Sequence, residues 1–253
     1  MLIKFPLAVL LALLPFICFV SLATTEQQNS NPLPLPEFSA QYTVLHKSDP
    51  VGTATRTLTY QANGTINYHY QTYIEWLIFS QKRSETSILT IKNNQVIPQH
   101  YTFTREGTGR DKHYEWHYNA AKNQAKDIGR KREYTLDFSN NLQDKLSYHL
   151  QHRLNLIADD KHKNYHYAVI STSGVVKDYA YQYDGEEELV LPFGLVKSIR
   201  FKREVKSKER ITYAWFAPEL DYLLVKLYQI KAGNEQFEAQ LSTLTIAAGK
   251  TSN

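Results

Sequence analysis

Apolar and aromatic residues recur at every second position through most of this chain, the period of a pleated strand buried on one face. Phe38, Ala40, Tyr42 and Val44 share a face, and Ile66, Tyr68, Tyr70, Thr72 and Ile74 share another. Ile97, Tyr101 and Phe103 fit a further strand, Tyr114, Trp116 and Tyr118 the next. Later come Tyr165, Tyr167 and Val169, then Val175, Tyr179, Tyr181 and Tyr183. All 18 tyrosines lie after residue 23, and tyrosine and threonine suit a half-buried sheet. Asn63-Gly64, Asn93-Asn94, Gly107-Thr108-Gly109, Ser173-Gly174, Asp184-Gly185 and Gly233-Asn234 separate the runs with residues that tight turns favour. The pattern predicts a mainly β chain built as an antiparallel meander.

One segment departs from that period. Between Asn141 and Ile157, Leu142, Leu146, Leu150, Leu154 and Ile157 recur every three or four residues. Gln143, Lys145, His149, His152 and Arg153 fall on other faces, so the spacing predicts one amphipathic helix with a leucine stripe and a solvated side. Ser139, Asn140 or Asn141 would cap it, with Asp144 in the first turn where the helix dipole favours an anion. In an otherwise β chain the stripe has only the sheet to pack on, so the helix covers a sheet face or plugs an open mouth.

Ahead of the first strand, Lys4, an apolar stretch from Phe5 to Val20 and Ser21-Leu22-Ala23 form the pattern of a secretory signal, cut after Ala23. Residues 24–36, TTEQQNSNPLPLP, read as a flexible proline-rich linker outside the core. Residues 37–246 read as a single β domain, and residues 247–253 as a disordered tail. The only cysteine, Cys18, lies inside the signal behind bulky Ile17, which argues against lipid attachment. The exported chain would then lack thiol nucleophiles, disulfides and Cys-bound zinc, and its expected location is the bacterial periplasm. No apolar run of membrane-spanning length follows residue 23. The formal charge of +4 is too small to make nucleic acid the default partner.

Candidate chemistry is sparse. His113 and His117 have helical spacing, but in a strand they stand about 13 Å apart, too far to share an ion. His149 and His152, with His162, His166, Asp159 and Asp160 close in sequence, are a better cluster, yet beside the leucine stripe they read as solvent-facing. No metal or cofactor is expected. The chain has no serine-hydrolase elbow, Glu186-Glu187-Glu188 alternates across a strand, and Gly107-Thr108-Gly109 lacks the lysine of a phosphate loop. No catalytic residue is assigned, and the residues point away from an enzyme. Two features remain. Lys202, Arg203, Lys206, Lys208 and Arg210, extended by Lys197 and Arg200, surround a predicted hairpin tip near Ser207 as a candidate contact for anionic envelope material. Trp76, Phe79, Leu146, Leu150, Phe193 and Trp215 are candidate linings of an apolar hollow beneath the helix.

The order of short motifs resembles the bacterial exported family catalogued as domain of unknown function 3108, from about Phe38 to Leu244. The resemblance lies in Phe38-Ser39-Ala40-Gln41-Tyr42, Gly52, Ser84-Glu85-Thr86, Pro98 and Tyr101, and Asp144-Lys145-Leu146-Ser147. It continues in Gly185-Glu186-Glu187, Leu191-Pro192-Phe193-Gly194, Arg210, Trp215-Phe216-Ala217-Pro218-Glu219-Leu220 and Val225-Lys226-Leu227, although Leu224 stands where members often have proline. The resemblance implies a fold similar to the periplasmic lipoprotein carriers: a strongly curved antiparallel sheet, an open barrel or roll, with one helix in its hollow. It brings no catalytic residues. The expected function is therefore a periplasmic binder or carrier for a lipid or other amphipathic envelope component. The rival expectation is an assembly or scaffolding factor that holds an envelope protein, with an envelope enzyme as the third alternative.

Overall fold

A computed structural model of the protein describes residues 35–247. The signal, most of the linker and all but the first residue of the tail lie outside the described residues. The chain first lays down β1 (Phe38–His46), β2 (Asp49–Tyr60), β3 (Ile66–Trp76), β4 (Phe79–Lys92), β5 (Gln95–Gly107), β6 (Lys112–Asn119), β7 (Gln124–Asp127) and β8 (Arg132–Thr135). Helix α1 (Ser147–Ala158) follows. The chain then returns through β9 (Asn164–Ile170), β10 (Val176–Leu191), β11 (Gly194–Val205), β12 (Arg210–Ala217), β13 (Leu223–Lys231) and β14 (Asn234–Ile246).

All 14 strands join one antiparallel sheet in the order β8 to β1, then β14 to β9. Two consecutive meanders therefore meet at the β1–β14 pair, where Ala40 stands opposite Leu244. Period-two burial is clear in β1, where Phe38, Ala40, Tyr42 and Val44 are buried, as the sequence predicts. Asp184-Gly185 is not a turn: it is a bulge inside β10, where the register slips against β11 and Gly185 takes φ of 118°. A second slip, between Ile88 and Leu89 opposite β5, puts Val96 on the buried side and leaves Ile97 only half-buried.

The sheet does not close, but its two edges come together. Arg130, in the turn before β8, donates from Nη1 to the Thr172 carbonyl at 2.5 Å, beside the β9–β10 turn. In that turn Gly174, at φ +84°, lies so close to the Tyr134 ring of β8 that a Cβ would sit 2.5 Å from Cε1. The β9 edge is itself partly covered. Gln143 donates its amide to the Ala168 carbonyl at 2.8 Å and accepts from the Ile170 amide at 2.9 Å, which protects part of an edge otherwise open to strand addition.

That pairing also corrects the predicted start of the helix. Asn141 takes a left-handed φ of 51° and Gln143 serves as a strand partner, so the chain cannot turn helical until Ser147. Asp144 then accepts from the Leu146 and Ser147 amides at 2.7 Å each, and Ser147 Oγ accepts from the Asp144 amide at 2.9 Å. This reciprocal pair satisfies donors that the helix itself leaves free.

Nor does the helix have a solvated side. Leu146, Leu150 and Leu154 join the main core, to which both meanders contribute, whereas Tyr148 and Leu156 pack with Tyr165, Tyr167, Tyr181 and Phe201 of the second meander, the same rings that surround His152. Gln151, His152, Arg153 and Gln143 are buried, and Ile157, expected in the stripe, is 43% exposed. A sheet that curves round a helix supplies partners on every side. Gln151 Oε1 accepts from the Val96 amide at 2.7 Å, and Arg153 Nε donates to the Asp221 carbonyl at 2.7 Å. Leu35, placed in the flexible linker, is buried in the core, and its carbonyl accepts from the Tyr60 hydroxyl at 2.9 Å.

Candidate ligand-binding hollow

Beside the first turn of α1 the two meanders do not pack completely. They leave a cavity of about 500 Å³, within the size range of small-molecule sites. Leu146, Tyr148 and His149 of the helix segment form one wall. From the first meander, Tyr42 of β1, Ala54 and Arg56 of β2, Tyr70 of β3, and Arg83 and Glu85 of β4 point into it because they occupy the inward positions of their strands. From the second come Tyr179, Tyr181, Arg203, Arg210 and Thr212. Leu224, Leu227, Phe237 and Ala239 complete the apolar part. Val205, Ser207 and Lys208, at the β11–β12 connection, form its rim.

The lining combines rings and aliphatic groups with an excess of positive charge. Among the described residues, Arg56, Arg83, Lys145, Lys177, Arg203, Lys208 and Arg210 face only two carboxylates, Glu85 and Asp178. Both carboxylates are engaged. Glu85 pairs with Arg83 and accepts from the Tyr101 hydroxyl at 2.6 Å, and Asp178 lies 2.8 Å from His166 Nδ1. Arg56 is only 6% exposed, its Nε is buried without a partner, and its guanidinium lies 5.7 Å and 5.4 Å from the ring centres of Tyr68 and Tyr70. The Arg203 guanidinium stands 3.5 Å over the Tyr179 ring, which positions it by cation–π attraction. Burial lowers the Lys145 pKa. Burial, and after it the charge of Arg56, pushes the His149 imidazole far down, so this histidine is neutral near pH 7.

The structure divides the residues singled out from the sequence. Leu146 lines the cavity, whereas Leu150 is fully buried in the core. Trp76, 46% exposed, and half-buried Phe79 flank the β3–β4 turn, and Phe193 is 37% exposed in the β10–β11 turn. Trp215 is buried, donating from Nε1 to Glu187 Oε1 at 2.6 Å, and its parity in β12 differs from that of Arg210 and Thr212. None of these four aromatic residues lines the cavity. The basic cluster splits by the same alternation. Arg203, Lys208 and Arg210 line the hollow, whereas Lys202 lies beside Glu204 at 3.6 Å and Lys206 falls outside. Arg56, Arg83 and Lys145 were missed as site residues, although an arginine between Ala54 and Leu58 on one strand face was a readable signal.

The histidines are arranged differently from their sequence spacing. His152 is buried, not solvent-facing, and its Nδ1 lies 2.8 Å from the Tyr167 hydroxyl. That hydroxyl also accepts from Asn155 Nδ2 at 3.1 Å, which ties the imidazole to the next turn of the helix. His117 does not pair with His113. It faces His100 across β5 and β6, and both contact Glu115 Oε1, at 3.3 and 3.1 Å. Among the described residues these form the one group of three metal-type ligands whose atoms all lie within 4.8 Å of one another. The hydrogen bond from His117 holds the Glu115 carboxyl below its ordinary range.

The described residues define an open, β-barrel-like sheet with a buried helix and a cationic hollow at the helix start. The chain belongs to the family "Protein of unknown function (DUF3108)", whose profile matches residues 38–240. A crystal structure of a β-barrel-like protein of domain of unknown function DUF1849 from Brucella abortus shares the fold. The two superpose with a TM-score of 0.56 at 11% identity, over 85% of this chain and 99% of that one. None of the curated proteins matches the chain.

Proposed function

We propose that this protein binds an amphipathic small molecule, a lipid or a lipid-like envelope component, in the hollow beside α1, and serves as its carrier in the periplasm. The observation that supports this reading is the cavity of about 500 Å³ beside the start of α1, lined by both apolar and cationic side chains. Such mixed linings suit a ligand that has both an apolar body and a polar end. A scaffold that adds a partner strand to the sheet is less favoured, because Gln143 already occupies part of the β9 edge.

Native mass spectrometry of the protein purified from its own periplasm tests the proposal. A mass excess that disappears on extraction with organic solvent is the expected result. Recovery of the bare chain, or of a complex with protein alone, would count against a carrier. The same spectrum reads the N-terminus: export with cleavage after Ala23 leaves a chain that begins at Thr24, whereas a product retaining Lys4 would contradict the periplasmic assignment.

A further inference from the structure

Arg56 is a charge whose partner is missing. It is only 6% exposed to solvent, its Nε makes no hydrogen bond, and no ion pair of the described residues includes it. The rings of Tyr68 and Tyr70 offer its guanidinium π-faces but no acceptor for Nε. A buried cation left this way is unfavourable unless something supplies the counter-charge. Arg203 and Arg210 come to the same cavity from β11 and β12, and the Nε of Arg210 is likewise buried without a partner. Each guanidinium presents a planar fork of donors that matches the oxygens of a phosphate or carboxylate.

We infer that the ligand carries an anionic head, a phosphate or a carboxylate, seated against Arg56, Arg203 and Arg210, with its apolar part against the Leu224, Leu227 and Phe237 wall. This inference rests on the proposed carrier role and specifies what is carried. It also turns part of the basic β11–β12 cluster inward, since Arg203 and Arg210 address the ligand, whereas Lys202, beside Glu204, does not line the hollow.

Isothermal titration calorimetry of the delipidated protein with dodecyl phosphate, dodecanol and inorganic phosphate tests it. Dodecyl phosphate is expected to bind at least about tenfold more tightly than dodecanol, because its head gains charge-assisted hydrogen bonds, and more tightly than inorganic phosphate. Arg56→Met and Arg203→Met should each weaken dodecyl phosphate about tenfold and narrow its advantage over dodecanol. Lys202→Met should leave all three titrations unchanged. Arg203 is only half-buried, so its variant retains the fold and carries the same readout should Arg56→Met fail to fold. Equal binding of dodecanol and dodecyl phosphate would overturn the anionic head and leave the amphiphile reading standing. Inorganic phosphate binding as tightly as dodecyl phosphate would support the anion site and remove the lipid as its source. No binding of any probe would overturn both.

Discussion

Two buried titratable side chains at the helix act on stability in opposite directions. Burial holds the His152 imidazole at about 3 in the folded protein, against 6.5 ordinarily. As the pH falls below 6.5 the unfolded chain takes up a proton that the folded chain refuses until about 3, so the stability His152 contributes is present above 6.5 and lost across that window. Asp144 does the reverse. Burial raises its carboxyl from 3.8 to about 6, against the opposing hydrogen bond from Ser87. The folded protein is therefore the first to be protonated as the pH drops through about 6, which adds stability in full below 3.8 and loses it as the pH rises through about 6. Urea midpoints at pH 7, 5.5 and 4 should show a shallower acid loss in His152→Phe and a steeper one in Asp144→Asn than in the parent. Parallel curves for all three would refute the assignment. The sequence placed both residues on the helix segment but not in the interior, because burial on every side is a property of the surrounding sheet.

At the scale of the element, the helix has two jobs that can be separated. Leu150 is fully buried in the main core, whereas Leu146 is buried yet borders the hollow. Leu150→Ala is expected to cost about 2 to 5 kcal/mol of stability, as tightly packed core leucines do. Leu146→Ala enlarges a space that already exists, so it should cost less and instead alter uptake of dodecyl phosphate. Denaturation curves and titrations on each variant decide it; equal core-like losses with unchanged uptake would contradict the placement of Leu146. The alternation in β1 and the leucine spacing of the helix were legible because each is a local period. The helix start was not, since Gln143 is drawn to Ala168 and Ile170 by a contact that no local pattern records. Arg56 was legible in principle, as a charge inside the inward row of Ala54 and Leu58, but only a structure shows that no carboxylate among the described residues answers it.

At the scale of the whole molecule, two meanders must be joined twice, once through β1 and β14 and once where the sheet edges approach. The first junction pairs residues about 200 positions apart, which leaves no local mark in the sequence. The second includes a small contact that a mutant can isolate, the Tyr134 ring of β8 against Gly174 in the β9–β10 turn. Gly174→Ala meets two separate penalties. A left-handed backbone is unfavourable for any L side chain by about 1–2 kcal/mol, and the new Cβ would collide with the ring at 2.5 Å unless the seam opens. In Tyr134→Ala the ring is gone, so adding Gly174→Ala should then cost only the backbone part. A double-mutant cycle separates the two, because a seam contact makes the substitutions non-additive and a merely local turn effect leaves them additive. If the cycle closes with no coupling, the edges are held independently of this contact, and the near-closure of the sheet depends on others, the Arg130–Thr172 hydrogen bond among them.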